Sequence, residues 1–246
     1  MIFEYKNIKI YYEITNSYAK GSPILFLHGW EGSTLSFSFF AKNLNRKCIL
    51  IDFPPFGKSS CPQSPLYVKD YKEMVCLLLK QLGVKKVFIV AHSFGGRVAI
   101  ELSATTKLVK KMILTGSAGL KKKSLKKALK QLVYKVQKVL SKIKLYPKTK
   151  LFSRGSLDYQ KLPPQMKKTF INIVNYDQRY LLNNISAPTL LVWGNLDKET
   201  PFCFTKTFKK HIKDCGVVVF KGHGHFAYIE KPQTFLKIIT TFFEVN

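Results

Sequence analysis

The sequence predicts an α/β protein built on a mainly parallel sheet, and two observations support this prediction. Short apolar runs typical of buried strands alternate along the chain with segments whose apolar residues recur at helical spacing, as in successive βαβ units. The alternation stops between Leu120 and about Asp177 and then resumes, which indicates an insertion after the sixth strand. A chain of 246 residues that is 46% hydrophobic can bury one sizeable core.

Six strands are predicted before the insertion. Residues 2–14 alternate apolar and polar side chains, as the two short strands of a hairpin do. Apolar runs predict the other four strands at 23–29, 47–53, 85–92 and 109–116. Helical spacing predicts the connecting helices at 35–44, 66–82 and 94–104. Gly83 is suited to end the second of these helices.

The alternating pattern continues after the insertion. Two more apolar runs predict strands at 188–194 and 217–220. A helical segment is expected between them, near residues 203–212. A final helix is expected from about Pro232 to Phe243.

The insertion is expected to form a helical cap. Apolar residues at i, i+3, i+4 and i+7 spacing between Leu125 and Ile143 form one helix face. The other face is nearly all Lys, with twelve Lys and no acid between Lys121 and Lys150. We therefore predict a core domain of residues 1–117 and 179–246 and a Lys-rich cap over 118–178. The Lys face is either solvated or a docking face for a partner or a membrane surface.

The charge of the chain is strongly basic. It has 41 Lys and Arg against 14 acids, a formal net charge of +27, and only four of the basic residues are Arg. This Lys preference fits either a base-composition bias of the genome or an acidic partner, such as an acyl carrier protein or an anionic membrane. Surfaces that bind nucleic acid usually interleave Arg with aromatic residues. The chain does little of this, so no nucleic-acid partner is expected.

The cysteines and the hydropathy predict a cytoplasmic protein without a metal site. The five Cys residues are scattered, without a CxxC pair or zinc-ligand spacing, so free thiols in a reducing compartment are expected. No apolar run reaches the roughly 18 residues of a membrane span. The N-terminal stretch MIFEYKNIKIYYEI lacks the apolar region of a signal peptide.

The stretch VAHSFGG, residues 90–96, places Ser93 between a predicted strand and a predicted helix. A sharp turn at this point would expose the serine at the carboxyl end of the sheet, and it requires small residues two before and two after. Ala91 and Gly95 occupy those positions, with Ala91 where the usual pattern has glycine. Ser93 is therefore a candidate nucleophile, which needs a base, a group that orients the base and donors for an oxyanion.

Loops after later strands offer the acid and the base. WGNLDKETP, residues 193–201, places Asp197 in a loop after a strand. KGHGHFAYIEKP, residues 221–232, offers two histidines, His223 and His225. We favour His225 as the base, because the run from Gly224 to Phe226 followed by Glu-Lys-Pro suits a base loop, and His223 is the alternative.

Two backbone N–H groups are candidate oxyanion donors. The N–H of Phe94 follows the nucleophile directly, and the second donor is expected from the loop LHGWEGS, residues 27–33. Trp30 follows His28-Gly29 in this loop, so its N–H is the second candidate. The side chain of His28 is expected to brace the loop rather than to take part in chemistry.

Taken together, LHGWEGS, DFPPFGKS, VAHSFGGRVA, WGNLDKETP and GHGHFAYIEKP make the sequence resemble the α/β-hydrolase superfamily over nearly the whole chain except the cap. The resemblance implies a central eight-stranded sheet with helices on both faces and a helical cap between strands six and seven. It also implies a Ser93–Asp197–His225 triad that needs no metal or cofactor. We expect the substrate to be an ester with a short or medium acyl chain. A serine nucleophile argues against the dehalogenase and epoxide-hydrolase branches, which have Asp at this position.

Several narrower or different functions stay open. The combination of HGW with the serine turn is similar to carboxylesterases that cleave the methyl ester of pimeloyl on acyl carrier protein, and a Lys-rich cap would attract that acidic carrier. Arg97 resembles an Arg in a menaquinone-pathway lyase of the same superfamily. Two hypotheses involve no enzyme activity: the protein is either a scaffold without catalysis or a basic binding module.

Overall fold

The computed structural model describes residues 1–121, 159–160 and 162–245. The described strands are β1 (Ile2–Tyr5), β2 (Ile8–Thr15), β3 (Ile24–Leu27), β4 (Cys48–Ile51), β5 (Val87–His92), β6 (Val109–Thr115), β7 (Thr189–Gly194) and β8 (Cys215–Phe220). They form a sheet in the order β1-β2-β4-β3-β5-β6-β7-β8. The predicted class, a mainly parallel eight-stranded sheet with helices, is confirmed.

The direction of the strands explains their composition. β2 pairs antiparallel with β1 and with β4, whereas every later pair, from β3–β4 to β7–β8, is parallel. Every residue of β3, β4 and β5 is buried, because helices cover both faces of a parallel sheet and leave neither face to water. The apolar runs seen in the sequence are these doubly covered strands.

The described helices are α1 (Leu35–Lys42), α2 (Val68–Gln81), α3 (Phe94–Thr105), α4 (Pro164–Asn175), α5 (Phe204–His211), α6 (Ala227–Glu230) and α7 (Pro232–Phe243). A 3₁₀ turn covers Arg179–Asn184. The hydrophobic core lies in two layers, with α2, α3 and α5 contributing on one face of the sheet and α1, α6 and α7 on the other. No helix in the described part of the chain has the length and apolarity needed to cross a membrane.

The insertion enters and leaves the core at one place. The N–H of Gln178 donates to the carbonyl oxygen of Gly119 at 2.8 Å, so the two ends of the predicted cap lie side by side. Helix α4 lies within this predicted cap, and the Leu66 N–H on the core donates to its Thr169 hydroxyl at 3.0 Å. The Lys-rich helix face between Leu125 and Ile143 lies outside the described residues. The division into core and cap stays a prediction.

We expect Ile239→Ala to lower the free energy of unfolding by about 2–5 kcal/mol, because truncating a buried Ile leaves a cavity. Ile239 is fully buried in α7. Ile171→Ala on α4 is the matched control, since Ile171 is 43% exposed and exposed substitutions usually change stability by less than about 0.5 kcal/mol. Urea denaturation measures both, and equal losses would contradict this packing of α7.

Candidate active site

The candidate residues lie in loops that follow neighbouring parallel strands. Trp30 follows β3, Ser93 follows β5, Asp197 follows β7 and His225 follows β8. Because the carboxyl ends of parallel strands meet at one edge of the sheet, ligand sites in such folds lie there. The topology therefore directs all four loops to one edge.

Ser93 has an unusual backbone conformation. Its φ is +48° and its ψ is −110°, a region that residues other than glycine rarely adopt and that costs roughly 1–3 kcal/mol. The turn is held by its own backbone groups. The Ser93 N–H donates to the Thr115 carbonyl at 3.2 Å, and the Ser93 carbonyl accepts from Gly96 N–H and Ala118 N–H, each at 3.0 Å.

The glycines after Ser93 are required by space. A Cβ at Gly95 would collide with the backbone carbonyl of Leu27 at the end of β3, and a Cβ at Gly96 would collide with the Ser117 side chain. The first turn of α3 is thus pressed against the ends of two strands. This contact is the physical reason for the small residues that the sequence shows after Ser93.

The Asp197 side chain is fully buried, and its carboxylate accepts several hydrogen bonds. Its Oδ1 accepts the N–H groups of Glu199 and Thr200, each at 2.9 Å. Its Oδ2 lies 2.8 Å from His225 Nδ1 and 2.7 Å from the Thr200 hydroxyl. Burial raises the pKa of this carboxyl, but the hydrogen bond and charge of His225 and the hydrogen bonds from Thr200 outweigh burial, so the net pKa is lowered. Asp197 is therefore held as a carboxylate.

Thr200 is a supporting residue that the sequence analysis did not identify. Its hydroxyl lies within hydrogen-bond distance of both the Asp197 carboxylate and the Gly116 carbonyl, and its own carbonyl accepts the indole N–H of Trp193 at 2.8 Å. An Asp followed by Thr three positions later is a recurrent pattern of local side-chain to backbone hydrogen bonding. This spacing in the sequence could have identified Thr200 as a partner of Asp197.

The two histidines of the last loop have different partners. His225 Nδ1 faces Asp197, whereas His223 Nδ1 lies 2.5 Å from Glu230 Oε2. The His225 side chain is 11% exposed and that of His223 is 22% exposed. Only His225 therefore pairs with the predicted acid.

His28 links two loops in its neutral form. Its Nε2 accepts the N–H of Phe53 at 2.8 Å, which leaves Nδ1–H to donate to the Gly29 carbonyl at 2.7 Å. Burial lowers the pKa of His28 to about 4. The side chain is occupied in bracing the loop before Trp30.

The two candidate oxyanion donors come from loops that pack together. Neither Trp30 N–H nor Phe94 N–H donates to a backbone carbonyl within the described residues. The Trp30 and Phe94 rings meet edge to face, 5.6 Å apart. The Trp30 ring also packs on the rings of Phe56 and of Phe170 on α4, with ring centres 4.8 and 5.3 Å away. Trp30 therefore joins the predicted cap to the loop after β3.

The structure shows a hydrogen bond between Asp197 and His225 but none between Ser93 and His225 among the residues it describes. In the described part of the chain, no hydrogen bond joins the Ser93 hydroxyl to the His225 ring. Catalytic hydrogen bonds are often long without bound substrate. The connection between the two residues runs instead through His92, whose Nε2 lies 3.2 Å from the His225 carbonyl oxygen.

Arg97 does not point to an open site. It is 6% exposed, and its guanidinium donates to the Tyr176 carbonyl at 2.6 Å. Burial lowers the pKa of Arg97 to about 10. Its partner lies just before Gln178, so Arg97 helps to fasten the end of the predicted cap to α3.

The described residues form no set of metal ligands. No three His, Cys, Asp or Glu side chains cluster in a way that could hold a metal ion there. The oxygens of the buried Asp197 instead face N–H and O–H donors from its own loop and His225.

Comparison with protein families and curated proteins gives consistent matches. A family model described as the alpha/beta hydrolase fold matches residues 22–154, more than half of the chain. YisY of Bacillus subtilis, an AB hydrolase superfamily protein, is 25% identical over 90% of this chain and 91% of its own. A proline iminopeptidase of Lactobacillus crispatus is 26% identical over 93% and 92%. Lipase 1 of Psychrobacter immobilis is 24% identical over 87% and 74%.

Solved structures agree with this fold. MGS-M2, an alpha/beta hydrolase enzyme from a Medee basin deep-sea metagenome library, superposes with a TM-score of 0.76 at 22% identity and covers 99% of this chain and 97% of its own. The esterase EaEST from Exiguobacterium antarcticum has a TM-score of 0.74 at 21% identity, covering 96% and 95%. At these identities the likeness concerns the fold.

The free energy of unfolding should fall as the pH drops from 6.5 to about 4. The unfolded His28 takes up a proton at its ordinary pKa of 6.5, whereas the folded one stays neutral until about 4. Each such histidine contributes a slope of about 1.4 kcal/mol per pH unit. In His28→Gln, the amide oxygen can still accept from Phe53 N–H, but the side chain takes up no proton. We therefore expect the substitution to reduce the slope of unfolding free energy against pH by about 1.4 kcal/mol per pH unit. Denaturation at several pH values checks this, and an unchanged slope would contradict a neutral buried His28.

Proposed function

We propose that this chain, which belongs to the alpha/beta hydrolase family, is a serine hydrolase that cleaves carboxylic esters of short or medium acyl chain through an acyl-enzyme on Ser93. The observation that carries the proposal is the 2.8 Å contact between Asp197 Oδ2 and His225 Nδ1, on loops directed to the sheet edge where Ser93 forms its strained turn. Such an arrangement suits a base that is oriented by an acid.

The roles follow from the atoms that remain available. Asp197 accepts the Nδ1–H of His225, which leaves Nε2 with a lone pair to take the proton of Ser93. Ser93 Oγ then attacks the ester carbonyl, and the N–H groups of Trp30 and Phe94 stabilise the oxyanion. His225 returns the proton to the leaving alcohol. A water deprotonated by His225 attacks the acyl-enzyme and releases the acid, which regenerates Ser93.

The environment of Asp197 supports its role beside the imidazolium. Because its pKa is lowered below the ordinary value of 3.8, it is ionised across the neutral range. The negative charge stabilises the positive charge that His225 carries after it takes the Ser93 proton. The N–H groups of Glu199 and Thr200 hold Oδ1, the oxygen that does not face His225, so the orientation of the carboxylate does not depend on His225 alone.

Two observations bear on other reactions of this family. The relatives include proline iminopeptidases, so cleavage of an N-terminal prolyl amide is the second candidate and the same residues would serve it. The lyase alternative would use Arg97 toward the substrate, but its guanidinium is committed to the Tyr176 carbonyl.

A binding module would have no use for a strained Ser93 or for the buried Asp197–His225 pair.

We further propose that residues 118–178 form a cap over a core of residues 1–117 and 179–246, and that its Lys-rich part steers an acidic acyl carrier protein bearing an ester or thioester. The support is charge complementarity, since the chain has a net charge of +27. The five free cysteines fit a reducing compartment, which is consistent with action in the cytoplasm.

Hydrolysis of p-nitrophenyl esters from acetate to decanoate tests the proposed function. We expect Ser93→Ala and Asp197→Asn each to lower kcat by roughly 10⁴-fold or more, because the first lacks the nucleophile and the second leaves His225 in the wrong tautomer. His223→Gln is the matched control and should keep most of the activity, since His223 pairs with Glu230. L-proline p-nitroanilide is measured in parallel. Turnover of the anilide alone would replace the esterase by a peptidase, and no loss in Ser93→Ala would overturn both.

The partner proposal has its own test. With an acyl-acyl carrier protein as substrate, kcat/KM should fall by roughly tenfold or more between low and 0.5 M salt, because long-range attraction between opposite charges is screened. The control is an uncharged p-nitrophenyl ester, whose kcat/KM should change little over the same range. An equal salt dependence for both substrates would contradict steering of the carrier.

A further inference from the structure

His92 lies between the two residues that the proposed mechanism needs close together. It is the last residue of β5, directly before Ser93, and it is 2% exposed. The centre of its ring lies 4.7 Å from that of the His225 ring, 5.2 Å from that of Phe226 and 4.8 Å from that of Tyr228. A buried polar ring in this place needs a hydrogen-bond partner.

The partner of His92 is the backbone of the base residue itself. His92 Nε2 lies 3.2 Å from the carbonyl oxygen of His225. A carbonyl only accepts, so Nε2 must carry the proton and donate it. Burial, and next the charge of His225, lower the pKa of His92 to about 3. The neutral ring with a proton on Nε2 is therefore the form present at neutral pH.

The opposite edge of the ring meets the loop before Trp30. A Cβ placed on Gly29 would lie 2.7 Å from His92 Nδ1, which is closer than such atoms approach. The glycine thus lets the backbone of this loop lie directly against the ring. His92 thus links three parts of the site: it directly precedes Ser93 in the chain, its Nε2 faces the His225 carbonyl, and its Nδ1 edge lies against the loop before Trp30.

We propose that His92 is a positioning residue, which fixes the His225 backbone relative to Ser93 through its Nε2–H hydrogen bond to the His225 carbonyl. This inference rests on the proposed function, because it concerns the same base and nucleophile. Asp197 sets the tautomer and direction of the His225 ring, and His92 sets where the backbone that carries the ring lies. Without the bond, the distance from His225 Nε2 to Ser93 Oγ is no longer fixed by the strand that carries the serine.

The test compares His92→Gln with His92→Met. The two side chains have similar length, but only Gln offers an N–H near the position of the imidazole Nε2. Two quantities are measured: ester hydrolysis, and the second-order rate at which a fluorophosphonate labels Ser93, followed by intact mass. In labelling, Ser93 Oγ forms a bond to phosphorus, fluoride leaves and His225 takes the proton. Labelling reports the reactivity of Ser93 without knowledge of the natural substrate.

We expect His92→Met to lower kcat and the labelling rate by on the order of 10–100-fold, the effect of a misplacement of about 1 Å. KM should change little. His92→Gln should keep most of the wild-type kcat and labelling rate. Thermal unfolding of each variant is measured beside activity, and His92→Phe, which keeps a ring without a donor, replaces the Met variant if that variant does not fold.

Each other outcome has one meaning. If wild-type Ser93 is labelled and the Met variant reacts at the wild-type rate, His92 has no positioning role and the proposed function stands. If the Gln and Met variants lose activity equally, His92 acts through packing and the hydrogen-bond proposal is overturned. If wild-type Ser93 is not labelled, the proposed function fails and this inference fails with it.

Discussion

The backbone of Ser93 is the constraint on which the rest of the site depends. A φ of +48° is unfavourable for serine, so the surroundings must hold it. The hydrogen bonds to Thr115, Gly96 and Ala118 attach the turn to the end of β6 and to the first turn of α3. Gly95 closes the space against Leu27 at the end of β3. The position of the serine is therefore set by the central strands of the sheet, and the other loops are arranged around it.

Two buried histidines join these loops without adding charge. His28 connects the loop after β3 to the backbone at Phe53, and His92 connects the end of β5 to the His225 carbonyl. Burial keeps both rings neutral at neutral pH, so each offers a directed donor or acceptor and no positive charge. In the proposed mechanism, an imidazolium that forms at His225 has Asp197 as its compensating charge. The two neutral histidines and the ionised Asp197 are thus complementary parts of the proposed electrostatic arrangement.

The sequence predicted the features that local patterns determine. Doubly buried strands appear as apolar runs, and the small residues around Ser93 report a crowded turn, so the sheet and the candidate residues could be placed. The loop pattern favoured His225 over His223 as the base, and the structure adds their partners: His225 contacts Asp197, whereas His223 contacts Glu230. The contact between His92 and His225 spans 133 positions. No local sequence pattern reports a contact between residues so far apart in the chain. The helix Ala227–Glu230 was also not predicted, because four residues are too few to show helical periodicity.

The described residues of the predicted cap are connected to α3 and to the loop after β3 through side-chain contacts. Glu101 on α3 accepts the Tyr176 hydroxyl at 3.0 Å, and Gln178 donates to the Arg97 carbonyl at 2.9 Å. On the other side, Phe170 of α4 packs on the Trp30 ring, whose indole Nε1 has no acceptor among the described residues. Buried polar groups that are partnered hold a segment in one place, and one that is left without a partner is unfavourable. The described part of the predicted cap therefore reaches the candidate oxyanion loop through an aromatic contact beside the unpartnered indole N–H of Trp30.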